Sequence, residues 1–243
     1  MQTQSAPQTF KPNKGVNLEI DVNSKTYLRL PIKTPLITEK DDILELVRKY
    51  VAPFLRPGDI IFISEKVLAI TQGRIIKIRD IKPTRFARFL ARKVRTNYGT
   101  KDFKGFGHGT PMGMQLFIEE AGYPRVLFAA AVSAITRPLG IKGAFYFICG
   151  KRAKSVDCPM SFLLFPYTQY AKLAPLEPSK AAKRIKERFG NETVIVDANY
   201  RGVVSLGESS RNVKEKFVQQ VFRDNPLGQS DEQTPLCIVR EKK

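Results

Sequence analysis

The sequence has few of the residues on which several common sites depend. Histidine occurs once, at His108, which excludes metal centres that need two or more histidines. The three cysteines, Cys149, Cys158 and Cys237, are an odd number without CxxC spacing. They are therefore predicted to be reduced, and neither a disulfide framework nor a thiolate zinc site is indicated.

The standard phosphate-binding loops are also missing. No GxxxxGK[ST] segment occurs, and in the glycine-rich segment 105–111 Thr110 takes the third glycine position of GxGxxG. The backbone N–H groups of this segment either cradle a phosphate or form a plain connection, and the sequence leaves both interpretations open.

No apolar run approaches the ~18 residues of a membrane span. The first 14 residues are polar, contain Pro7 and Pro12, and have no hydrophobic region of secretory type. These patterns predict a cytoplasmic protein without a membrane partner, with a flexible lead over residues 1–26 and one domain over residues 27–243.

Acidic residues are scarce. The 243 residues include 41 Lys and Arg against 23 Asp and Glu, a formal net charge of +18. The excess is densest between residues 72 and 104, and it includes Arg85, Arg88, Arg92 and Arg95 on one side of a predicted helix. This field would attract phosphates, anionic cofactors or nucleic acid, although a merely solvated face is the alternative.

The hydrophobic pattern predicts alternating elements. Strands are predicted at 27–32, 60–63, 67–70, 75–78, 145–149, 193–197, 203–207 and 237–239, and helices at 41–54, 83–95, 112–121, 129–134, 179–189 and 212–222. Without a strict βαβ rhythm or an internal repeat, the fold class is α/β or α+β, in mainly one unit.

Two regions of the sequence are candidate functional sites. Asp197 follows the β-branched run 193–196, and the later segment 224–235 is dense in oxygen donors and stiffened by Pro226 and Pro235. Asp157 follows a basic run, so its carboxylate either pairs with those bases or converges with Asp197 on a divalent ion.

Together these segments resemble the coenzyme F420-0:L-glutamate ligase (γ-glutamyl ligase) family, in a divergent bacterial branch. The matching segments are 35–42, 57–59, 64–66, 72–74, 122–125, 143–146, 156–157, 196–199 and 224–235. The resemblance implies the γ-glutamyl-ligase-like fold in an intertwined homodimer. It also implies an enzyme that uses GTP or ATP with Mg²⁺ or Mn²⁺ to join L-glutamate to a carboxylate of an anionic, cofactor-like acceptor.

The resemblance also implies roles for individual residues. Asp157 and Asp197 match the metal-binding aspartates, and no catalytic residue is assigned. The residues that match nucleotide contacts are Pro35, Leu36, Ile37, Thr38, Ser64 and Glu65. The residues assigned to binding of the substrate or the nucleotide are Asn199, Asp224, Asn225 and Gln229.

Three positions depart from the family pattern. Ile70 replaces a lysine, Met160 replaces an asparagine, and Ala198 replaces a threonine. These losses support a second hypothesis, in which the chain is a catalytically silent relative that binds an anionic metabolite or nucleic acid.

Overall fold

A computed structural model describes residues 10–93, 107–160, 165–199, 202–228 and 231–242. Its strands are β1 (Glu19–Val22), β2 (Lys25–Ile32), β3 (Ile60–Ser64), β4 (Ile75–Lys77), β5 (Tyr170–Lys172), β6 (Glu192–Asn199), β7 (Gly202–Glu208) and β8 (Leu236–Glu241). Its α-helices are α1 (Ile43–Leu46), α2 (Glu65–Thr71), α3 (Arg85–Lys93), α4 (Pro111–Ala121), α5 (Tyr123–Thr136), α6 (Ala144–Lys154), α7 (Pro178–Phe189) and α8 (Glu215–Val221). The mixed α/β class is confirmed.

The chain forms two compact units. Unit 1 comprises residues 1–71 and 177–243, and unit 2 comprises residues 72–176. The predicted boundaries at 26 and 27 stay a prediction, although residues 19–22 of the expected flexible lead form β1, which pairs with β2.

Unit 1 is built on a six-stranded sheet of order β1-β2-β8-β3-β6-β7. Only β3 and β6 are parallel, and the other neighbours are antiparallel. The central strands are apolar on both faces because helices and loops cover them, as in the buried run of β3. Phe62 of β3 stacks on Phe222 at 4.2 Å between ring centroids, which seats the end of α8 on the sheet.

Unit 2 is mainly helical. α4 is its central helix, opening with Thr110 as N-cap and ending at Gly122, and its Met114, Phe117 and Ile118 lie in the core with residues of α3, α5 and α6. A two-stranded sheet of β4 and β5 adds a second, smaller core around Leu116.

Two predicted strands are wrong. Residues 67–70 belong to helix α2, and residues 145–149 belong to helix α6. Both are short apolar runs without polar interruptions, so their sequences show no period that separates a strand from a helix. The remaining strands and most of the remaining helices lie within a few residues of their expected limits, whereas β1 and β5 were not predicted. The helix predicted at 41–54 consists of α1 followed by a π-helical turn at Val47–Val51 and a 3₁₀ turn at Ala52–Phe54, and α5 begins well before the predicted residue 129.

Candidate active site

The carboxyl ends of three strands of unit 1 meet at one edge of its sheet. Ser64 of β3 is in register with Val196 of the parallel strand β6, and Ile63 and Ile32 both pair with Leu236, the first residue of β8. This edge is therefore shared by four parts of the chain: the segments that follow β2 and β3, the end of β6, and the segment before β8. We call it the strand-end edge.

The segment 35–38, predicted to contact the nucleotide, leaves β2 at the strand-end edge. Thr34 N donates to Gln233 O at 2.9 Å, and Ile37 is buried as an apolar anchor. Asp41 Oδ2 accepts hydrogen bonds from Thr38 N at 2.7 Å and from Thr38 Oγ1 at 2.9 Å. The turn is thus fixed before α1 begins, with the Asp42 side chain accepting from the first helical N–H groups.

Ser64 and Glu65, the second predicted nucleotide segment, lie where β3 passes directly into α2. Ser64 N donates to Pro235 O at 2.9 Å, which joins β3 to the residues preceding β8. Glu65 is buried as the first residue of α2. The structure therefore brings both predicted nucleotide segments to one edge.

Asp197 and Asn199 extend β6 past the row of Ser64. They pair with Val204 and Gly202 of β7, and because they are two residues apart on a strand their side chains lie on the same face. Asn199 Nδ2 donates to Asp197 Oδ1 at 3.2 Å. This contact orients the Asp197 carboxylate at the strand-end edge.

Asp224 has a different setting from the one expected of a ligand-binding loop. Its carboxylate receives both terminal nitrogens of Arg29, one of them at 2.9 Å, and Arg29 is only 1% exposed. Arg29 also donates to Val221 O at 3.2 Å. Asp224 is therefore the counter-charge of a buried guanidinium.

The rest of segment 224–235 is tied into unit 1 by further hydrogen bonds. Asn225 has φ +48° and donates through Nδ2 to Gly228 O at 2.8 Å. Thr234 Oγ1 donates to Leu227 O at 2.8 Å and accepts from Asn13 Nδ2 at 2.7 Å. Residues 233–235 of the segment reach the strand-end edge, and Gln229 lies outside the described residues.

Asp157 lies in unit 2, where it forms an antiparallel bridge with Lys172. Asp157 N donates to Lys172 O at 2.9 Å, and Lys172 N donates to Asp157 O at 2.8 Å. Lys172 is almost fully buried, and its Nζ donates to Ser155 O at 2.6 Å. Residues directly opposite in a bridge have Cβ atoms ~5 Å apart on one face, so this carboxyl and this ammonium belong to one neighbourhood.

His108 lies near the same bridge. Its Nε2 is 3.2 Å from Val156 O, and its ring packs against Phe117 and Tyr146 at centroid distances of 4.8 and 5.7 Å. Burial lowers the pKa of His108 to about 4, so the imidazole is neutral at pH 7. Gly107 N donates to Cys158 O at 2.8 Å. This glycine segment is thus packed into unit 2, at least over residues 107–110.

The predicted metal ligands lie in different units, so their convergence stays a prediction. Within the parts of the chain that the structure describes, no three or more His, Cys, Asp or Glu side chains are grouped so as to hold an ion. Mg²⁺ at nucleotide sites usually takes only one or two carboxylates, with water and substrate phosphates in the remaining positions. The oriented carboxylate of Asp197 fits that smaller role.

The three departures from the family pattern are packed positions. Ile70 of α2 and Met160 are buried, and Ala198 packs against the core cluster of unit 1. A cation or polar group at Ile70 or Met160 would need a partner in the core, so the apolar side chains suit their surroundings.

Comparison with known proteins supports the family assignment. The family model described as F420-0:Gamma-glutamyl ligase matches residues 31–123. The match begins in β2 and includes the 35–38 segment, Ser64, Glu65 and the departure at Ile70. It indicates a function of the γ-glutamyl ligase type and therefore an enzyme. No curated protein matches the chain.

Sequence reasoning missed the residues that organise the edge. Arg29, Asn13 and Thr34 hold segment 224–235 in place, yet each lies about two hundred residues away from it in sequence. None of them gave a signal. The alternation of Arg29 with Leu28 and Leu30 in a predicted strand indicates a solvent-facing side chain, whereas the structure buries it.

Proposed function

We propose that the protein is an acid–amino-acid ligase that joins L-glutamate to a carboxylate of an anionic, cofactor-like acceptor with hydrolysis of GTP or ATP. The observation that supports this most is the position of the family match. It includes the two segments that are predicted to contact the nucleotide, 35–38 and 64–65, and these lie at the same edge of the sheet as Asp197. Unrelated surface loops would have no reason to lie together at one edge of a sheet.

In this proposal the strand-end edge binds the nucleotide. The turn at Thr38 is held by Asp41, and Leu36, whose side chain is partly exposed, offers an apolar contact for a base. Ser64 is fixed through Pro235 O. Preformed contacts of this kind reduce the ordering cost of binding and so favour affinity.

The reaction would proceed in two balanced steps. An oxygen of the acceptor carboxylate forms a bond to the γ-phosphorus, and the bond from that phosphorus to the bridging oxygen breaks, which releases nucleoside diphosphate. The glutamate nitrogen, after losing a proton, then forms a bond to the acyl carbon. The acyl C–O bond breaks, inorganic phosphate leaves, and an amide remains. Positioning and charge stabilisation supply most of the catalysis of phosphoryl transfer.

Mg²⁺ or Mn²⁺ would be held by Asp197, and when bound it would neutralise phosphoryl charge. The contribution of the chain itself is the orientation of Asp197 by Asn199. Asn199→Ala would leave the carboxylate in place but less constrained, and Asn199→Asp would add a like charge beside it.

The test is mass spectrometry of reactions that contain nucleotide, Mg²⁺ or Mn²⁺, L-glutamate and a panel of carboxylate cofactors. The expected product is the acceptor with one added glutamyl group, formed together with inorganic phosphate. Asp197→Asn should lower its formation roughly tenfold or more, whereas the exposed Asp21→Asn in β1 should not. Product formation unaffected by Asp197→Asn would contradict the site, and its absence with every acceptor would count against the reaction.

The second candidate is a catalytically silent binding protein. It is favoured by the burial of Ile70 and Met160, which replace polar groups of the family. Calorimetric titration with nucleotide separates the two proposals. Nucleotide binding without phosphate release or glutamyl addition would favour the silent relative, and binding of an anionic metabolite or an oligonucleotide would then identify its ligand class.

We also propose the homodimer that the resemblance implies. Analytical ultracentrifugation at micromolar concentration tests it, with a dimer as the expected result and a monomer as the contradicting one.

A further inference from the structure

Helix α5 is apolar on both sides. Val126 and Ala129 face the core of unit 2, whereas Leu127, Phe128 and Ile135 are more than half exposed on the opposite side. Tyr123, Ala131 and Ala134 complete that exposed face, and no charged residue lies between Arg125 and Arg137. A helix that is apolar all round normally has both faces covered.

The turn after α5 continues the exposed apolar surface. Leu139 is 71% exposed and Ile141 is 57% exposed, and Phe147 at the start of α6 is 84% exposed. Gly140 N donates to Arg137 O and Ile141 N donates to Thr136 O, each at 3.1 Å. The turn is therefore a closed, hydrogen-bonded tip that exposes large aliphatic side chains.

The charge on this hairpin has one sign. Residues 121–156 contain no Asp or Glu and six basic residues, which are Arg125, Arg137, Lys142, Lys151, Arg152 and Lys154. The hairpin of α5 and α6 therefore presents apolar side chains bordered by cations, and a complementary partner must be both apolar and anionic.

We propose that the α5–α6 hairpin, residues 123–154, docks on the surface of a bilayer that contains anionic lipids. Leu127, Phe128, Leu139 and Ile141 would enter the boundary between headgroups and acyl chains, while the flanking cations contact lipid phosphates. The hydrogen bonds at the tip satisfy two of the backbone N–H groups that enter that boundary. No described helix is long and apolar enough to cross a membrane, and a peripheral contact does not require one.

Charge distinguishes the anionic bilayer from the other candidate partners of the hairpin, which are a nucleic acid and a second copy of the chain. A nucleic acid would satisfy the cations but would leave the aliphatic side chains of Leu139 and Ile141 in water. A second copy docked hairpin to hairpin would cover the apolar face. Each copy would, however, bring six cations, of which Arg152 is paired with Glu120 of α4, and no carboxylate from its own hairpin. The anionic bilayer satisfies both the apolar and the cationic parts.

The full chain contains no tryptophan, so Phe128→Trp places a single reporter on the exposed face of α5. Vesicles of phosphatidylcholine alone are compared with vesicles that also contain phosphatidylglycerol. With the latter, the expected result is co-sedimentation, a blue shift of the tryptophan emission, and quenching by lipids brominated on the acyl chain. Leu139→Asp with Ile141→Asp should weaken partitioning about tenfold or more, since two large apolar side chains are lost.

Val204→Asp is the matched control, because Val204 is an exposed apolar residue on β7 of unit 1. It should leave partitioning unchanged. Equal binding to phosphatidylcholine alone, no binding to either vesicle, or equal loss in the control would each overturn the proposal. Lipid-free ultracentrifugation is decisive for the second copy: a dimer that the Leu139→Asp, Ile141→Asp variant converts to monomer would show that the hairpin joins two copies instead.

Discussion

The two units of the molecule differ in net charge and in the number of large apolar side chains that they expose. Unit 2 has 18 Lys and Arg against five Asp and Glu, a net +13, which leaves +5 of the total +18 for the larger unit 1. Ten of the 12 large apolar side chains exposed among the described residues also belong to unit 2. Unit 1 balances its charges internally, whereas unit 2 has a surface suited to recognition.

Buried charges show the same difference in more detail. In unit 1, Arg29 is paired with Asp224, and Arg240 donates to Asp59 at 2.7 and 2.8 Å. In unit 2, Glu120 is shared by Arg74 and Arg152, but most of the cations lie at the surface. We therefore expect charge substitutions in unit 1 to change stability and those in unit 2 to change binding.

The largest expected effect is on the Arg29 pair. Asp224→Ala should lower the free energy of unfolding by about 3 kcal/mol, because it leaves a buried guanidinium without its counter-charge. That is at the low end for a buried pair, since Asp224 is itself 35% exposed. Urea denaturation measures the loss. Glu241→Gln, which breaks an exposed pair with Lys25, is the control and should leave the free energy of unfolding nearly unchanged, because water and salt screen that pair. Equal losses in both variants would contradict the internal balance of unit 1.

The next effect is a difference in pH dependence between the units. The pKa of His108 is lowered from 6.5 to about 4, so its contribution to unit 2 is complete above pH 6.5. It is lost as pH falls from 6.5 towards 4, because the unfolded imidazole takes a proton first. The loss amounts to about 3 kcal/mol, since one pKa unit corresponds to ~1.4 kcal/mol.

In unit 1 the corresponding group is Glu192. Burial raises its pKa, but hydrogen bonds from Lys186, Ser209 and Ser210 outweigh burial and lower the pKa to about 2. Its stabilisation is present above pH 4.5 and is lost between 4.5 and 2. Hydrogen exchange should therefore show unit 2 losing protection before unit 1 as pH falls. His108→Gln should remove the early loss, and an unchanged profile in that variant would disprove the assignment.

Asn225 distinguishes a structural brace from a binding loop, and the expected effect is smaller. The sequence predicts that Asn225→Ala lowers ligand affinity and spares stability. The structure instead favours a loss of about 1–3 kcal/mol in stability, because alanine lacks the hydrogen bond to Gly228 O and is strained at φ +48°. Asn225→Gly keeps that φ accessible, so its thermal midpoint should fall less. Unchanged midpoints with weakened nucleotide binding in both variants would restore the original prediction.

The smallest effect on stability is expected on α3. Arg88→Glu with Arg92→Glu should change unfolding by less than ~0.5 kcal/mol because both side chains are exposed. It should, however, flatten the dependence of oligonucleotide binding on salt. Arg95, the last arginine of the predicted basic face, lies outside the described residues and is left unchanged.

Lys180→Glu with Lys183→Glu, which reverses two exposed cations on α7 of unit 1, is the control for the α3 variant. It should leave the salt dependence of oligonucleotide binding as it is in the unaltered protein. An unchanged salt dependence in the α3 variant would identify its basic face as merely solvated.

The sequence was sufficient to predict elements with a clear period or clear ends. α7 is opened by Pro178 and closed by Gly190, and the run that leads to Asp197 forms β6 as predicted. It failed at residues 67–70 and 145–149, where tertiary packing decides between helix and strand. Phe147, for example, is an exposed aromatic residue on a helix, and no local pattern specifies that setting.

The candidate site was predictable to the same degree. Pro35 and Ser64 follow predicted strands, Asp197 ends one, and parallel pairing brings Ser64 beside Val196. The role of Asp224 was not predictable, because its partner Arg29 is 195 residues away in sequence. Polar residues in a loop therefore identify a segment of interest but not what its side chains contact.

The order of the sheet also has a consequence for synthesis of the chain. β2 precedes unit 2 and pairs with β8, which follows it, and β3 pairs with both β6 and β8. The central sheet therefore cannot assemble until the last strand has left the ribosome, whereas residues 72–176 are complete much earlier. During that interval β2 and β3 have unpaired edges, and a pause in translation before residue 236 would prolong this state. A truncation there would release a chain with a finished unit 2 and an exposed, aggregation-prone half sheet.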